Sequence, residues 1–306
     1  MKNETFYVTF CTDNRAIQDI GVCLESLFSN NPYHFEIFIL HSKPIEKEKI
    51  KLLAKKWNQK INFIKVDPTP IKKLPLQGFW VEETYYRLLI PRYLPRYVKQ
   101  TLYLDTDTLV VKDICDLLKI KLENKSLAAN PGDPPENYFA HEDFLGIKRG
   151  TYFGAAVVLI NVKKIRKRKL FEKAIKWAEE NPEKVRSVDQ DILNKFFSED
   201  YIKIGNEYSC WLVDGYKPYC DKKITKIVHF NGKWKGSSYL CLHPFRDQYL
   251  YYLRRTPWAG NFEQITLFRW FIRNALYFAR RVKHSSLGNF LTRLITALGK
   301  NSKNVI

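Results

Sequence analysis

Short apolar runs alternate with amphipathic helical patterns through the first two-thirds of the chain, and this rhythm admits few folds. Phe6–Thr12, Phe35–Leu40, Ile61–Val66 and Lys99–Leu104 read as strands. Helical stretches separate the first three, one from Ala16 to Phe28 with Ile20, Leu24, Leu27 and Phe28 on one face, the next from Ile45 to Trp57. The Pro-rich loop Asp67–Pro75 interrupts the pattern, and Glu82–Ile90 reads as a helix stopped by Pro91 and Pro95. Shorter strands follow at Ser126–Ala129, Tyr152–Val162 and Ile224–Phe230, with helices at Lys163–Glu180 and Asp189–Phe197. Such alternation implies an α/β fold of Rossmann-like type, a mainly parallel sheet with helices on both faces. Ligands of these sheets bind beyond the carboxyl ends of the strands, so strand-end residues are where chemistry is sought. The 306 residues allow one substantial core with an appendage.

That appendage is basic. The chain carries a net charge of +19, and residues 256–306 hold eight Lys/Arg against one acid, Glu263. On a helical wheel of Ile265–Val282, Ile265, Leu267, Phe268, Phe271, Ile272, Ala275, Leu276, Phe278, Ala279 and Val282 share one half. Arg269, Trp270, Arg273, Asn274, Tyr277, Arg280 and Arg281 take the other. No acid follows Gln264. An apolar face opposite an Arg/Trp/Tyr face describes an interfacial helix lying on anionic lipid. The plainer alternative is a terminal helix packed on its own domain with a solvated basic face. The expected division is therefore a catalytic domain over 1–255 and a basic amphipathic C-terminal segment over 256–306, associated with an anionic membrane surface. A nucleic-acid-binding protein also explains the charge, but nucleic acid would leave the apolar face uncovered, so none is expected. No run approaches the roughly 18 apolar residues of a membrane span. Near the amino terminus Glu4 is acidic, and Phe6–Cys11 is too short and polar for a signal peptide. The six cysteines are scattered without a C-x-x-C pair, which predicts free thiols in a cytoplasmic protein.

The strongest chemical signal is Leu102-Tyr103-Leu104-Asp105-Thr106-Asp107-Thr108-Leu109-Val110-Val111. In extended chain, residues i and i+2 face the same side, so the Asp105 and Asp107 carboxylates converge on one cation. Without a cation two such carboxylates repel. Oxygen ligands suit Mg²⁺ or Mn²⁺, which bridge the phosphates of a nucleotide diphosphate. Aspartates that merely cap the next turn are the ordinary alternative. An aspartyl-nucleophile phosphatase shares the hydrophobic-DxDxT pattern, but carries it on its first strand, whereas three strand–helix elements precede it here. His229, at the end of a strand and followed by Phe230-Asn231-Gly232-Lys233-Trp234-Lys235-Gly236, supplies a third ligand, with a glycine for close approach and lysines for phosphate.

Taken in order, Thr12-Asp13-Asn14, Tyr85-Tyr86-Arg87-Leu88, Tyr103–Asp107, Tyr152–Asn161, Asp189-Gln190-Asp191-Ile192-Leu193-Asn194 and His229–Lys235 resemble the family 8 retaining glycosyltransferases. These include bacterial lipopolysaccharide galactosyl- and glucosyltransferases and, more distantly, glycogenin. The resemblance spans most of Phe6–Gly236. It implies a GT-A fold, a UDP-sugar donor (UDP-galactose or UDP-glucose) and Mn²⁺ held by Asp105, Asp107 and His229. It further implies nucleotide contacts from Thr12, Asp13, Asn14, Arg87, Asp105, Thr106, Gly232 and Lys235. Asp189 matches a residue that binds donor-sugar hydroxyls, and Gln190 the residue nearest the anomeric carbon; Asp191 is the further acid of this catalytic group. An amide is a poor nucleophile, which favours front-face substitution over a covalent intermediate on Asp189 or Asp191. N-capping of the helix Asp189–Phe197 is the alternative role for Asp189 and Asp191. Two departures from the family pattern stand out: Gly154 replaces an Asn, and Thr12 replaces an acid near the uracil. An acceptor-side residue falls at Asn130 or Asp133. The resemblance implies a glycan acceptor, lipid-linked at the inner face of the cell membrane, where the C-terminal segment would seat the enzyme.

Overall fold

In the computed structural model, alternation along the strands divides the core between two layers. Phe6, Val8 and Phe10 of β1 (Thr5–Cys11) join Phe35, Ile37 and Ile39 of β2 (His34–His41) on one face of the sheet, against α1 (Ile17–Asn30). Cys11, Phe38 and Leu40 point the other way, toward Tyr85, Tyr86 and Leu89. The structure describes residues 4–76, 80–131, 138–211, 221–231, 235–264, 266, 268–272 and 274–275. The remaining strands are β3 (Lys60–Lys65), β4 (Thr101–Leu104), β5 (Thr108–Val110), β6 (Leu127–Pro131), β7 (Phe153–Ile160), β8 (Tyr201–Lys203), β9 (Cys210–Trp211) and β10 (Ile227–His229). Among the described residues they form a sheet ordered β3-β2-β1-β4-β7-β6-β8 and a small sheet β5-β10-β9. In the large sheet only β7 runs against its neighbours, β4 and β6; the other pairings are parallel. The mainly parallel α/β reading therefore holds.

Strand direction assembles the cleft. β1 and β4 are parallel neighbours, so Thr12-Asp13 and Asp105-Thr106-Asp107 leave the sheet at the same edge. Antiparallel β7 starts there, and the Asp105 amide donates to the Ala156 carbonyl at 2.8 Å. The chain then turns: the Thr108 hydroxyl and amide donate to the Asp105 carbonyl, at 2.8 and 3.2 Å, and launch β5. Pairing of β5 with β10 sets His229 opposite Thr108.

Several elements differ from expectation. Glu82–Leu89 is a 3-10 helix that runs into a short α-helix, Ile90–Tyr93, with Pro91 inside its first turn, where a missing N–H costs nothing. The single helix expected over Lys163–Glu180 is two, Val162–Arg168 and Leu170–Glu180, broken at Lys169, which is left-handed at φ +50°. Cys11, Cys23, Cys115 and Cys241 are thiols, but Cys210 is disulfide-bonded, contrary to the free-thiol expectation; scattered spacing carries no information on pairs joined by the fold. Past residue 255 the chain still packs on the body. Trp258 is buried against α1, where a Cβ on Gly21 would meet its ring at 2.3 Å, and Arg255 reaches buried Glu25 at 2.9 Å. The Glu263 carboxylate accepts from the Ser238 hydroxyl at 2.8 Å and the Tyr239 amide at 3.0 Å. Most of the expected helix Ile265–Val282 and all that follows lie outside the described residues, and no described helix is long and apolar enough to cross a membrane.

Candidate active site

Beyond the carboxyl ends of β1 and β4 opens a cleft of about 1260 Å³ lined by Thr12, Asp13, Arg87, Asp105, Thr106, Asp107, Asp189, Gln190, His229 and Lys235 among others. One oxygen each of Asp105 and Asp107 and a ring nitrogen of His229 lie within 4.8 Å of one another. His229 Nε2 is 3.2 Å from Asp107 Oδ1 and 3.7 Å from Asp105 Oδ2. Two carboxylates and an imidazole on one side of a cleft are a donor set that fits one divalent cation. Burial disfavours charge on this imidazole, but the neighbouring Asp107 outweighs it and raises the His229 pKa, with Asp105 adding to the effect. For Asp107 too, burial opposes the charge, and His229 and Lys235 overcome it and hold the carboxyl far below its ordinary value. The Lys235 ammonium donates to Asp107 and, at 3.1 Å, to the Phe230 carbonyl.

Arg87 ties Asp105 of this group to Asp189. Its guanidinium donates to Asp105 Oδ1 at 2.8 Å, to the Ala155 carbonyl at 2.6 Å and to the Thr84 carbonyl at 3.1 Å, and Nε lies 2.9 Å from Asp189 Oδ2. It stacks over Tyr103, whose hydroxyl also donates to Asp105 Oδ1, at 2.8 Å. Burial raises the Asp189 carboxyl to about 7, with Arg87 opposing and Asp105 reinforcing the rise. Perturbed acids of this kind cluster where chemistry is done.

Local strain aims the next segment. Val188 is left-handed at φ +41°, an uncommon state for a β-branched residue that costs on the order of 1–3 kcal/mol. Asp191 holds it in place: one carboxylate oxygen accepts from the Arg186 and Ser187 amides at 2.8 and 2.6 Å, the other from the Tyr152 hydroxyl at 2.7 Å. Asn194 mimics a strand partner, exchanging two hydrogen bonds with the Phe153 backbone. Gln190 then faces the cleft, accepting from the Ala155 amide at 3.1 Å. The structure thus brings Asp189 and Gln190 to the cleft, whereas fully buried Asp191 does not line it and supports the turn.

The nucleotide-side expectations divide as well. Buried Thr12 and half-buried Asp13 line the cleft, Asp13 capping the next turn through the Arg15 amide at 2.9 Å. Asn14 is exposed and turned away, accepting from the Glu46 amide at 2.7 Å. Gly232 and Asp133 lie outside the described residues. Asn130 lines the cleft and donates to Asn206 at 2.8 Å. At Gly154 a Cβ would meet nothing nearer than the Asn130 carbonyl at 4.0 Å, so an open space remains where the family carries an amide. Sequence reasoning missed Tyr103, Asp19 and His243. Asp19 sits on α1 at the cleft wall, its pKa raised by burial to about 6. His243 accepts from the Phe245 amide at 3.2 Å, which leaves the proton on Nε2, a buried donor without a hydrogen-bond partner among the described residues. Tyr103, on β4 two residues before Asp105, carried a signal in that spacing; Asp19 and His243 carry no local motif.

A family model described as glycosyl transferase family 8 matches residues 7–236. The chain belongs to this family. General stress protein A of Bacillus subtilis is 26% identical over 285 residues, 85% of this chain and 98% of that protein. A lipopolysaccharide 1,3-galactosyltransferase of Salmonella typhimurium is 24% identical over 272 residues, 84% of this chain and 80% of its own. A lipopolysaccharide 1,2-glucosyltransferase of Escherichia coli is 27% identical over 220 residues, 68% of this chain and 63% of its own. Among solved structures, that of galactosyltransferase LgtC with donor and acceptor sugar analogues superposes with a TM-score of 0.72 at 22% identity, covering 86% of this chain and 98% of LgtC. The fold is accordingly GT-A, and the chain is a glycosyltransferase.

Proposed function

We propose that this glycosyltransferase moves a hexose, galactose or glucose, from a UDP-sugar to a glycan acceptor on lipopolysaccharide or lipooligosaccharide, with retention, using Mn²⁺ or Mg²⁺ held by Asp105, Asp107 and His229. The observation that carries the reading is the convergence of these three ligands with Arg87, Lys235 and Asp189 in one cleft. The relatives named as lipopolysaccharide hexosyltransferases support the acceptor class.

A divalent ion bound there would supply positive charge to the two phosphates. The protein's own part is to fix charge before reaction. Lys235 brings an ammonium to the departing diphosphate, where a preorganised cation contributes most. Arg87 immobilises Asp105 and Asp189 together, so the ligand set and the sugar-binding acid keep one geometry. Asp189 receives donor-sugar hydroxyls. Gln190, an amide, orients the sugar face without attacking it, which leaves front-face substitution, the acceptor hydroxyl losing its proton to the leaving diphosphate.

Purified protein with MnCl₂ and a panel of UDP-sugars should hydrolyse or transfer one of them. Asp105→Ala and Asp107→Ala should each lower kcat by about 100-fold or more, the scale of removing a principal electrostatic contact. Full activity in either variant would sink the ligand assignment.

A further inference from the structure

Tyr249 lies outside the cleft, on the helix Arg246–Leu253, yet it touches two residues that line it, Phe230 and Asp19. Its ring is buried edge-on to Phe230, the residue after His229, with centroids 5.2 Å apart. The same ring presses on the backbone of Gly236, the residue after Lys235: a Cβ there would sit 2.2 Å from the ring carbon Cγ. No side chain fits between them, so Gly236 is required by the close approach. At its far end the Tyr249 hydroxyl donates to Asp19 Oδ1, on α1, a residue that lines the cleft. One side chain thus joins Phe230 and Gly236, which flank Lys235 in the chain, to α1. Lys235 depends on this, because it holds the Phe230 carbonyl and Asp107 with a long, flexible stem.

We infer that Tyr249 is a positioning residue for Lys235, its ring seated on Gly236 and Phe230 and its hydroxyl anchored on Asp19. The inference rests on the reading of Lys235 as the cation facing the departing diphosphate. Removing the anchor leaves the ring in its slot but frees the strut to rotate, and the ammonium then spends less time where charge develops. The effect belongs in turnover rather than in donor binding, since charge on the leaving group builds only in the transition state.

The test is a double-mutant cycle: wild type, Tyr249→Phe, Lys235→Ala and the double variant, assayed for kcat and donor KM with MnCl₂ and UDP-galactose or UDP-glucose, with thermal midpoints as the control for folding. Lys235→Ala is expected to lower kcat about 100-fold. Tyr249→Phe is expected to lower it about tenfold, and the double variant to match Lys235→Ala within about twofold, because residues acting through one another are not additive. Asp19→Ala removes the same anchor from the other side and should show the same non-additivity. If Tyr249→Phe lowers kcat by the same factor with and without Lys235, or not at all, Tyr249 is ordinary packing and the inference is overturned. Unchanged turnover in Lys235→Ala would instead remove the reading of Lys235 itself, and this inference with it.

Discussion

Arg87 is the residue on which the site's charges balance. Asp105 and Asp189 come from different elements, and each would be expensive to bury alone. One guanidinium serves both and also caps two backbone carbonyls, a set of bonds a lysine could not make. Asp19 has no such cation bonded to it among the described residues. Burial lifts its carboxyl from the ordinary 3.8 to about 6, the Tyr249 hydroxyl opposing the rise and Asp107 adding to it. Between those values the folded chain binds the proton more tightly than the unfolded chain. Asp19 therefore contributes stability in full below pH 4, and that contribution is lost as pH rises through 6. In metal-free protein the thermal midpoint of Asp19→Asn, relative to wild type, should climb from pH 4 to pH 7 and then level off. A relative midpoint that falls over this window would contradict the assignment.

At the scale of elements, what was legible depended on whether a local pattern carried it. β1, β2, β4 and β7 were legible as short apolar runs because both faces of these strands are buried, and the pair Asp105 and Asp107 from its two-residue spacing at the end of such a run, although the chain turns there between β4 and β5. The short strands β5, β8 and β9 carry too few residues to show a period, and their partners are distant in sequence. Asn14 and Asp191 were misplaced because residue type does not show which of two nearby donors a side chain will serve. Donors close in sequence captured Asp191, and the Glu46 amide, brought near by the fold, captured Asn14. The break at Lys169 was hidden because lysine is an ordinary helix residue. Its amide closes the preceding helix on the Arg166 and Ile165 carbonyls, and that geometry demands a left-handed residue. Lys169→Gly should therefore raise the urea midpoint, by about 0.5–1 kcal/mol of stability. A lowered midpoint would show that Lys169 makes contacts outweighing its strain.

For the whole molecule, the open question is what the last described residues face. Glu263 is tied to Ser238 and Tyr239, next to the cleft-lining Leu240 and Cys241, and Arg269 sits over the Tyr239 ring, so the described tail starts beside the cleft. Ile272 turns inward at 6% exposed, while Phe268, Trp270 and Phe271 stand at 60%, 48% and 59%. Three large apolar side chains in so short a stretch, followed by a sequence without acids, suit a surface that is apolar within and anionic at its boundary. A lipid-linked acceptor would then meet the cleft from the same side as the bilayer. Because Glu263 caps the body, the informative truncation removes residues after Gln264 and leaves that cap in place. Full-length protein should float with phosphatidylethanolamine vesicles containing phosphatidylglycerol, and the truncated chain should not. Donor hydrolysis in solution should be kept, within about twofold, since none of the removed residues that are described lines the cleft. Equal flotation of the two proteins would place the membrane contact elsewhere on this basic molecule.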